Sequence, residues 1–340
     1  MSHRKLFIAL AAATTFVAGC GGASDSKDAG GSGSGSGGTV SLVAYSTPKV
    51  VYDEIIPDFA KTPEGEGVNV RTSFGASGDQ SRAVEAGQKA DVVSFSVEPD
   101  VTRLVDAGLV APDWKSGPSK GLVSTSVVSF IVRKGNPKQI DSWDDLLKPG
   151  IEVITPNPLT SGAAKWNLLA AYGQAADGGK NPSEGLDYVE QLVTKHVKVQ
   201  PKSGREALQA FLTGKADVLL SYEYEATTAQ KQGEDVDYVV PDDTIEIEIN
   251  IAATKAASET GKKFLDYVIS APAQSRFAEW GYRPVDKGVF AKNASKFPIP
   301  SGLFTITDVG GWSKVNDDLF DPKDGAISKL EEKAGLATDG

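Results

Sequence analysis

Four segments of the sequence combine small residues with hydroxyl-bearing ones where a predicted strand gives way to a helix. The first residues of a helix have free backbone N–H groups, and the positive end of the helix dipole lies at the same point. A helix start with a hydroxyl beside it is therefore suited to binding an anion. Serine and threonine are also ordinary helix caps, which is the alternative for any one segment. The segments are Ser46-Thr47-Pro48, Ala76-Ser77-Gly78, Thr160-Ser161-Gly162-Ala163 and Ser203-Gly204-Arg205.

The elements that must position these segments alternate between short β-rich runs and amphipathic helical runs. This alternation predicts βαβ units, largely parallel sheets and an α/β fold, in which ligands bind at the carboxyl ends of the strands. The chain after residue 38 is longer than a single hydrophobic core usually accommodates, so two lobes are expected. The predicted strands are 40–45, 68–74, 90–95, 127–132, 152–155, 216–222 and 245–252. The predicted helices are 48–60, 79–86, 100–107, 163–172, 184–196 and 206–212.

The composition argues against several classes of enzyme and partner. His3 lies in the predicted leader, so His196 is the one histidine beyond it, and its basic neighbours predict a solvated side chain at an exposed helix end. Histidine- or cysteine-rich zinc sites are therefore not expected. A Ser-His-Asp triad would need His196, and the sequence has no Gly-x-Ser-x-Gly elbow or phosphate-binding glycine motif. The net charge of −10 argues against nucleic acid.

The first 38 residues have the pattern of a leader and a tether. Residues 1–19 combine a basic start with an apolar run that is too short to span a bilayer, as in a signal peptide. Small residues precede Cys20, the one cysteine of the chain, where cleavage and acylation are predicted. Residues 21–38 are mostly Gly and Ser and predict a flexible linker. An extracytoplasmic protein held at the cell membrane by lipid on Cys20 is expected; a generic leader with an incidental cysteine is the alternative.

Several longer motifs resemble one family, the sulfate-binding receptors of bacterial ABC importers. The resemblance covers nearly all of residues 40 to about 320. It implies a type II periplasmic-binding-protein fold that closes over one dehydrated sulfate held mainly by neutral N–H and O–H donors. It also implies that 39–125 and 245–340 form one lobe and 126–244 the other. The motifs are Phe130-Ile131-Val132-Arg133-Lys134-Gly135-Asn136-Pro137, Trp143-Asp144-Asp145-Leu146, Thr155-Pro156-Asn157-Pro158, Ser161-Gly162-Ala163-Ala164-Lys165-Trp166-Asn167, Phe277-Ala278-Glu279-Trp280-Gly281-Tyr282-Arg283-Pro284 and Val309-Gly310-Gly311-Trp312.

The resemblance assigns the family's ligand positions to particular residues of this chain. Three of them depart from the family pattern: Thr47 stands for Asp, Ala163 for Gly and Tyr222 for Trp. The first two changes leave a backbone N–H in place, whereas Tyr222 exchanges an indole N–H for a phenol that can also accept. Arg205 and Asp79 are predicted at the rim. Asp79 is expected to point outward, and the alternative is that it accepts the proton of hydrogen phosphate. Arg205 either adds charge at the rim or pairs with a nearby carboxylate. The assigned ligand positions are Thr47, Ser77, Ser161, Gly162, Ala163, Gly204 and Tyr222.

The sequence leaves other functions open. Within the binding class, the alternatives to sulfate are thiosulfate, molybdate or tungstate, and phosphate. A surface hydrolase using Ser77 or Ser161 and a ligand-free structural lipoprotein are the alternatives from other classes. The expected function is a receptor that performs no reaction, uses no cofactor or metal, and delivers its anion to the permease subunits of an ABC importer. Trp166, Trp280 and Trp312 are expected in the core rather than at the ligand.

The tether hypothesis makes a prediction about Cys20. Cys20→Ser should move the protein out of the membrane fraction, because no other thiol can take the diacylglycerol. Fractionation of cells expressing the variant, followed by immunoblotting, measures this. Ser24→Ala, which keeps the thiol, should stay in the membrane pellet with the wild type. Recovery of the Cys20→Ser variant in the pellet would show that another feature holds the protein there.

Overall fold

The computed structural model describes residues 38–336, so the predictions for the leader, for Cys20 and for nearly all of the linker lie outside the described residues. Each predicted strand and helix overlaps an observed one, which confirms the α/β class. The strands are β1 Thr39–Tyr45, β2 Asn69–Gly75, β3 Val92–Phe95, β4 Leu122–Arg133, β5 Val153–Ile154, β6 Val197–Val199, β7 Val218–Tyr222, β8 Val236–Val239, β9 Asp243–Ala253, β10 Arg283–Pro284 and β11 Gly302–Phe304.

The helices fill the connections between these strands. In the described part of the chain, no helix is long and apolar enough to cross a membrane. The helices are α1 Lys49–Phe59, α2 Ser77–Glu85, α3 Glu98–Asp106, α4 Trp143–Leu146, α5 Gly162–Ala175, α6 Pro182–Gln191, α7 Gly204–Leu212, α8 Glu223–Lys231, α9 Glu259–Val268, α10 Ala271–Glu279, α11 Lys287–Asn293, α12 Gly311–Leu319 and α13 Ala326–Lys333.

The fold has two lobes, and strand β4 takes part in the sheet of each. In the first half of the sheet the order is β2-β1-β3-β9-β4, and in the second half it is β4-β7-β5-β6. Residues 122–127 of β4 pair with β9, whereas residues 128–133 pair with β7 and β8. The outer strands are parallel, as expected: β1 pairs with β2 and β3, and β5 with β6 and β7. The long strands β4 and β9 add antiparallel pairings that the βαβ pattern did not predict.

The start of each helix near the sheet edge follows from an extended residue in front of it. Ala76 and Ser203 both have extended backbones, with ψ of 134° and 161°, so α2 begins at Ser77 and α7 at Gly204. Both helices therefore start two residues earlier than the apolar periodicity predicted. This matters for function, because Ser77 and Gly204 become first-turn residues whose N–H groups have no partner within their own helix.

Two of the three tryptophans lie in the core as predicted. Trp166 is fully buried and packs edge to face against Trp312, with ring centroids 4.8 Å apart and planes at 77°. Trp280 lies at the edge of the core instead. Its side chain is half-buried, and its indole N–H donates to Glu54 at 3.0 Å.

The prediction of a solvated His196 is wrong. His196 is only 8% exposed, and its Nδ1 lies 2.9 Å from the carbonyl oxygen of Ile151. A π-helical turn, Leu192–His196, follows α6 and directs the imidazole inward, while Lys195 and Lys198 remain exposed. The basic neighbours therefore gave a misleading indication, because they lie on the opposite side of the turn.

A buried ion pair joins α8 to the short strand β10. Nε and Nη2 of Arg283 donate to the two carboxylate oxygens of Glu223 at 2.8 and 3.2 Å, and Nη2 also donates to the Pro298 carbonyl at 2.9 Å. The two side chains are 5% and 3% exposed. Burial raises the pKa of Glu223, although Arg283 opposes the shift. Removing one partner would leave the other charge buried without compensation.

Arg283→Met should therefore lower the free energy of unfolding at pH 8 by roughly 3–5 kcal/mol, because Glu223 would be left ionised and unpaired. Urea denaturation followed by circular dichroism measures the loss. Arg276→Met is the matched control: Arg276 also pairs with carboxylates, Asp58 at 2.9 Å and Glu279 at 3.0 Å, but is 38% exposed. It should cost no more than about 1 kcal/mol. Similar losses in the two variants would refute the role of burial.

Candidate functional site

The residues assigned from the sequence follow the carboxyl ends of strands in both halves of the sheet. Thr47 follows β1 and Ser77 follows β2 in the first half. Ser161 follows β5 and Gly204 follows β6 in the second half, and Tyr222 is the last residue of β7. In sheets of this kind the carboxyl ends of the strands form the ligand-binding edge. The two halves therefore bring these residues to one region from opposite sides.

Backbone N–H groups at these positions have no acceptor. Within residues 38–336, the amide groups of Thr47, Ser77, Gly162, Ala163 and Gly204 make no hydrogen bond. Four of the five residues are buried, and Thr47 is half-buried. A buried N–H without an acceptor costs free energy, so such groups are rare in proteins unless they serve a ligand or water. Their concentration at these positions makes the region a candidate site for a ligand that accepts hydrogen bonds.

Ser161 adds a hydroxyl to this set. It occupies the cap position of α5 but makes no capping hydrogen bond, whereas Ser203 caps α7 by accepting from the Glu206 amide at 3.2 Å. No hydrogen-bond partner of the Ser161 hydroxyl lies among the described residues, although the residue is only 4% exposed. The Ser161 hydroxyl is therefore free to donate beside the amides of Gly162 and Ala163.

Ser77 contributes its amide but not its hydroxyl. The Ser77 hydroxyl donates to Asp100 Oδ2 at 2.6 Å and accepts from the Ser96 amide at 3.0 Å. Asp100 is 5% exposed, and burial raises its pKa. These bonds fix the start of α2 against the connection that follows β3. They leave the Ser77 amide as the one group of this residue that a ligand can use.

Close contacts between the halves bring the unpaired amides together. A Cβ added to Gly204 would lie 3.3 Å from Thr47 Cγ2, so these two positions adjoin across the interface. The Gly78 amide donates to the Thr160 carbonyl at 3.0 Å, which sets the start of α2 beside the residue before Ser161. Glycine suits this close approach, because a side chain at position 204 would crowd Thr47 and Glu225.

Tyr222 is placed at the site, but its phenol has a protein partner. The ring is fully buried, and its oxygen lies 2.8 Å from Ser96 Oγ. A second hydroxyl chain lies beside it: Tyr224 OH is 2.9 Å from Thr47 Oγ1 and 3.0 Å from Tyr45 OH. The rings of Tyr222 and Tyr224 meet edge to face with centroids 5.2 Å apart. Hydroxyl groups of both halves thus line the same region as the amides.

The two residues predicted at the rim lie at the surface. Asp79 forms an ion pair with Arg82 in the first turns of α2 and is 41% exposed, so it points outward as expected. Arg205 is exposed and lines an open cavity of about 650 Å³. Ser46 and Gly75 form one wall of this cavity, and residues of α7 form the other.

Glu225 lies beside Gly204, one of the residues with an unpaired amide, and was not predicted. Its carboxylate oxygens lie 3.3 and 3.6 Å from the point that a Cβ of Gly204 would occupy. The residue is 3% exposed and accepts from the Ser221 hydroxyl. Burial raises the pKa of Glu225 to about 7. A bound anion would favour the protonated form further, so Glu225 can become neutral where a negative ligand needs it.

Sequence reasoning missed Ser96, Tyr224 and Glu225. Ser96 directly follows the carboxyl end of β3, as Thr47 follows β1, so the rule that ligands bind at strand ends could have identified it. Tyr224 and Glu225 lie in the first turn of α8 and gave no comparable signal. In the described part of the chain, no group of His, Cys, Asp and Glu side chains could hold a metal ion.

A two-lobed α/β fold with unpaired amides gathered between the lobes is the architecture of a solute-binding protein. The chain belongs to the family of bacterial extracellular solute-binding proteins, which matches residues 40–283. It is 38% identical to the sulfate-binding protein of Synechococcus elongatus, over 92% of this chain and 91% of that one. It is 36% identical to the sulfate-binding protein of Escherichia coli, over 82% and 88%. The solved structure of the sulfate-binding protein SubI from Mycobacterium tuberculosis is 49% identical, with a TM-score of 0.81, over 83% and 99%.

Glu225 should make stability depend on pH. Its folded-state pKa of about 7 lies above the ordinary value of 4.5. The native state therefore retains the proton longer than the unfolded chain, and this stabilisation, complete below about pH 4.5, is lost as the pH rises through 7. Relative to Glu225→Gln, the wild type should lose about 2–3 kcal/mol of unfolding free energy between pH 5 and pH 8.

Urea unfolding of both proteins at the two pH values, without added anions, measures the difference. Glu66→Gln replaces an exposed glutamate and should follow the wild type at both pH values. If Glu225→Gln also follows the wild type, Glu225 does not titrate near neutrality.

Proposed function

We propose that this protein is an extracytoplasmic receptor that binds sulfate and delivers it to an ABC permease. The observation that carries this proposal is the set of unpaired amides at Thr47, Ser77, Gly162, Ala163 and Gly204. The sulfate-binding relatives reported above support the choice of sulfate. The proposed ligand set comprises these amides, the Ser161 hydroxyl and the hydrogen-bonded hydroxyl pair of Tyr222 and Ser96.

Neutral donors suffice for a dianion in such a site. The amides of α2, α5 and α7 lie at helix starts, where each helix dipole is equivalent to roughly half a positive charge. In a buried site of low effective dielectric, hydrogen bonds to a charged ligand are stronger than in water. The net charge of −10 does not oppose binding, because exposed charges are screened beyond about 8–10 Å at physiological salt.

The division into lobes fits the same function. We propose that residues 39–125 and 245–340 form one lobe and residues 126–244 the other. The exchange of pairing partners along β4, from β9 at Val127 to β7 at Val128, supports the first boundary. Thr47 and Ser77 then belong to one lobe, and Ser161 and Gly204 to the other, so closure of the lobes completes the ligand set.

The proposed location of the protein in the cell follows from the predicted leader at its amino terminus. We propose that lipid on Cys20 anchors the mature protein outside the cytoplasm and that the Gly/Ser-rich residues 21–38 act as a flexible tether. This places the receptor within reach of permease subunits in the same membrane. Membership of the extracellular solute-binding family supports an extracytoplasmic location.

Isothermal titration calorimetry of the mature protein tests the function. Sulfate should bind at least tenfold tighter than phosphate at neutral pH, because the O–H of hydrogen phosphate would lack an acceptor among donors. Ser161→Ala should weaken sulfate binding by about 10- to 100-fold through loss of one hydrogen bond to a charged ligand. Parallel titrations with thiosulfate and molybdate test whether another oxyanion binds more tightly than sulfate.

Ser124→Ala is the matched control for Ser161→Ala. Ser124 is buried in β4, and its hydroxyl has no hydrogen-bond partner in the described part of the chain. This variant should bind sulfate as the wild type does. A wild-type protein that binds no sulfate would refute the proposed function. An unchanged affinity in Ser161→Ala would remove Ser161 from the ligand set.

A further inference from the structure

Ser96 makes two direct polar contacts between the halves of the site. Its amide donates to the Ser77 hydroxyl at 3.0 Å within the first half. Its carbonyl accepts from the indole of Trp166 at 2.6 Å, and its hydroxyl lies 2.8 Å from Tyr222 OH, both in the second half. The residue is 1% exposed. Two of these bonds hold the backbone of Ser96, and the third holds its hydroxyl.

The Ser96 and Tyr222 hydroxyls carry two hydrogens between them, and only one of these hydrogens has an acceptor among the described residues. Each hydroxyl carries one hydrogen, and the single bond between them uses one of the two. Within residues 38–336, neither oxygen has another hydrogen-bond partner, and both are buried. Burial raises the pKa of Tyr222, so the phenol keeps its hydrogen. One buried hydrogen of the pair is left without an acceptor, which is unfavourable unless a ligand provides one.

The chemistry of the pair determines which hydroxyl keeps the free hydrogen. Either hydroxyl can donate in this bond. A phenol is more acidic than an aliphatic alcohol and is the better donor, so we infer that Tyr222 donates to Ser96. The Ser96 hydrogen is then the unused one. It emerges beside the start of α5, because a Cβ added to Gly162 would lie only 2.5 Å from Ser96 Oγ. The unpaired amide of Gly162 and the unpaired hydroxyl of Ser161 begin the same helix.

We propose that the Ser96 hydroxyl is a direct ligand of the bound oxyanion and that Tyr222 acts through it as a positioning residue. This proposal rests on the proposed function, because it assigns an additional donor to the same site. The bound anion would accept the hydrogen that the Ser96–Tyr222 pair leaves over. Tyr222 would orient Ser96 by occupying one of its lone pairs, rather than contact the ligand itself.

Calorimetric titration of sulfate into four proteins tests the proposal: the wild type, Ser96→Ala, Tyr222→Phe and the double variant. Ser96→Ala should weaken sulfate binding by about 10- to 100-fold, because the donor to the anion is lost. Tyr222→Phe should weaken it by about threefold or less, because the Ser96 hydroxyl remains able to donate. The double variant should match Ser96→Ala, since the phenol has no separate bond to the ligand.

Two other patterns would overturn the proposal. A large loss in Tyr222→Phe with a small loss in Ser96→Ala would make the phenol the ligand. Affinities within twofold of the wild type in all variants would mean that the pair is only structural. Ser124→Ala serves again as the control for removal of a buried hydroxyl, and thermal unfolding without sulfate verifies that each variant is folded.

The same experiment separates this proposal from the proposed function. If the wild type fails to bind sulfate, the proposed function fails first. If the wild type binds and Ser161→Ala is impaired while Ser96→Ala is not, the receptor function stands and the assignment of Ser96 is overturned.

Discussion

The site depends on one property of helices, namely that the first-turn amides have no partner within the helix. Helices α2, α5 and α7 each begin just beyond the carboxyl end of a strand, so their unpaired amides face one edge of the sheet. Amide hydrogens carry partial positive charge and cannot be lost by ionisation near neutral pH. A pocket built from them binds an anion by dipoles and geometry and does not require a buried cation.

Much of this arrangement was visible in the sequence. Hydroxyl and glycine residues between β-rich and helical runs identified the starts of α2, α5 and α7, because local chain geometry determines where a helix can begin. The positions Thr47, Gly162 and Gly204 came from the family resemblance, and their backbone amides are unpaired within residues 38–336. The α/β class followed from alternation alone.

Properties that depend on distant contacts were not predictable in the same way. Ser77 was assigned as a ligand position, but its hydroxyl is bonded to Asp100, 23 residues away in the chain. His196 was expected in solvent, but a π-helical turn directs it to Ile151. The hydroxyl partners of Ser96 and Tyr224 lie in the opposite half of the sheet, so no local pattern indicated them. In each case, tertiary packing decides between alternatives that look equal in the sequence.

The shared strand β4 has a mechanical consequence. It is 12 residues long, continuous from one half of the sheet to the other, and paired along its first part with the long strand β9. Two hydrogen-bonded strands bend across their width more easily than they shear along their length, because shear would break the ladder between them. A closing motion of the lobes would then be restricted largely to one rotation. Each closure would return the amides of the two halves to the same mutual alignment, so strand pairing outside the pocket would set the geometry of the pocket.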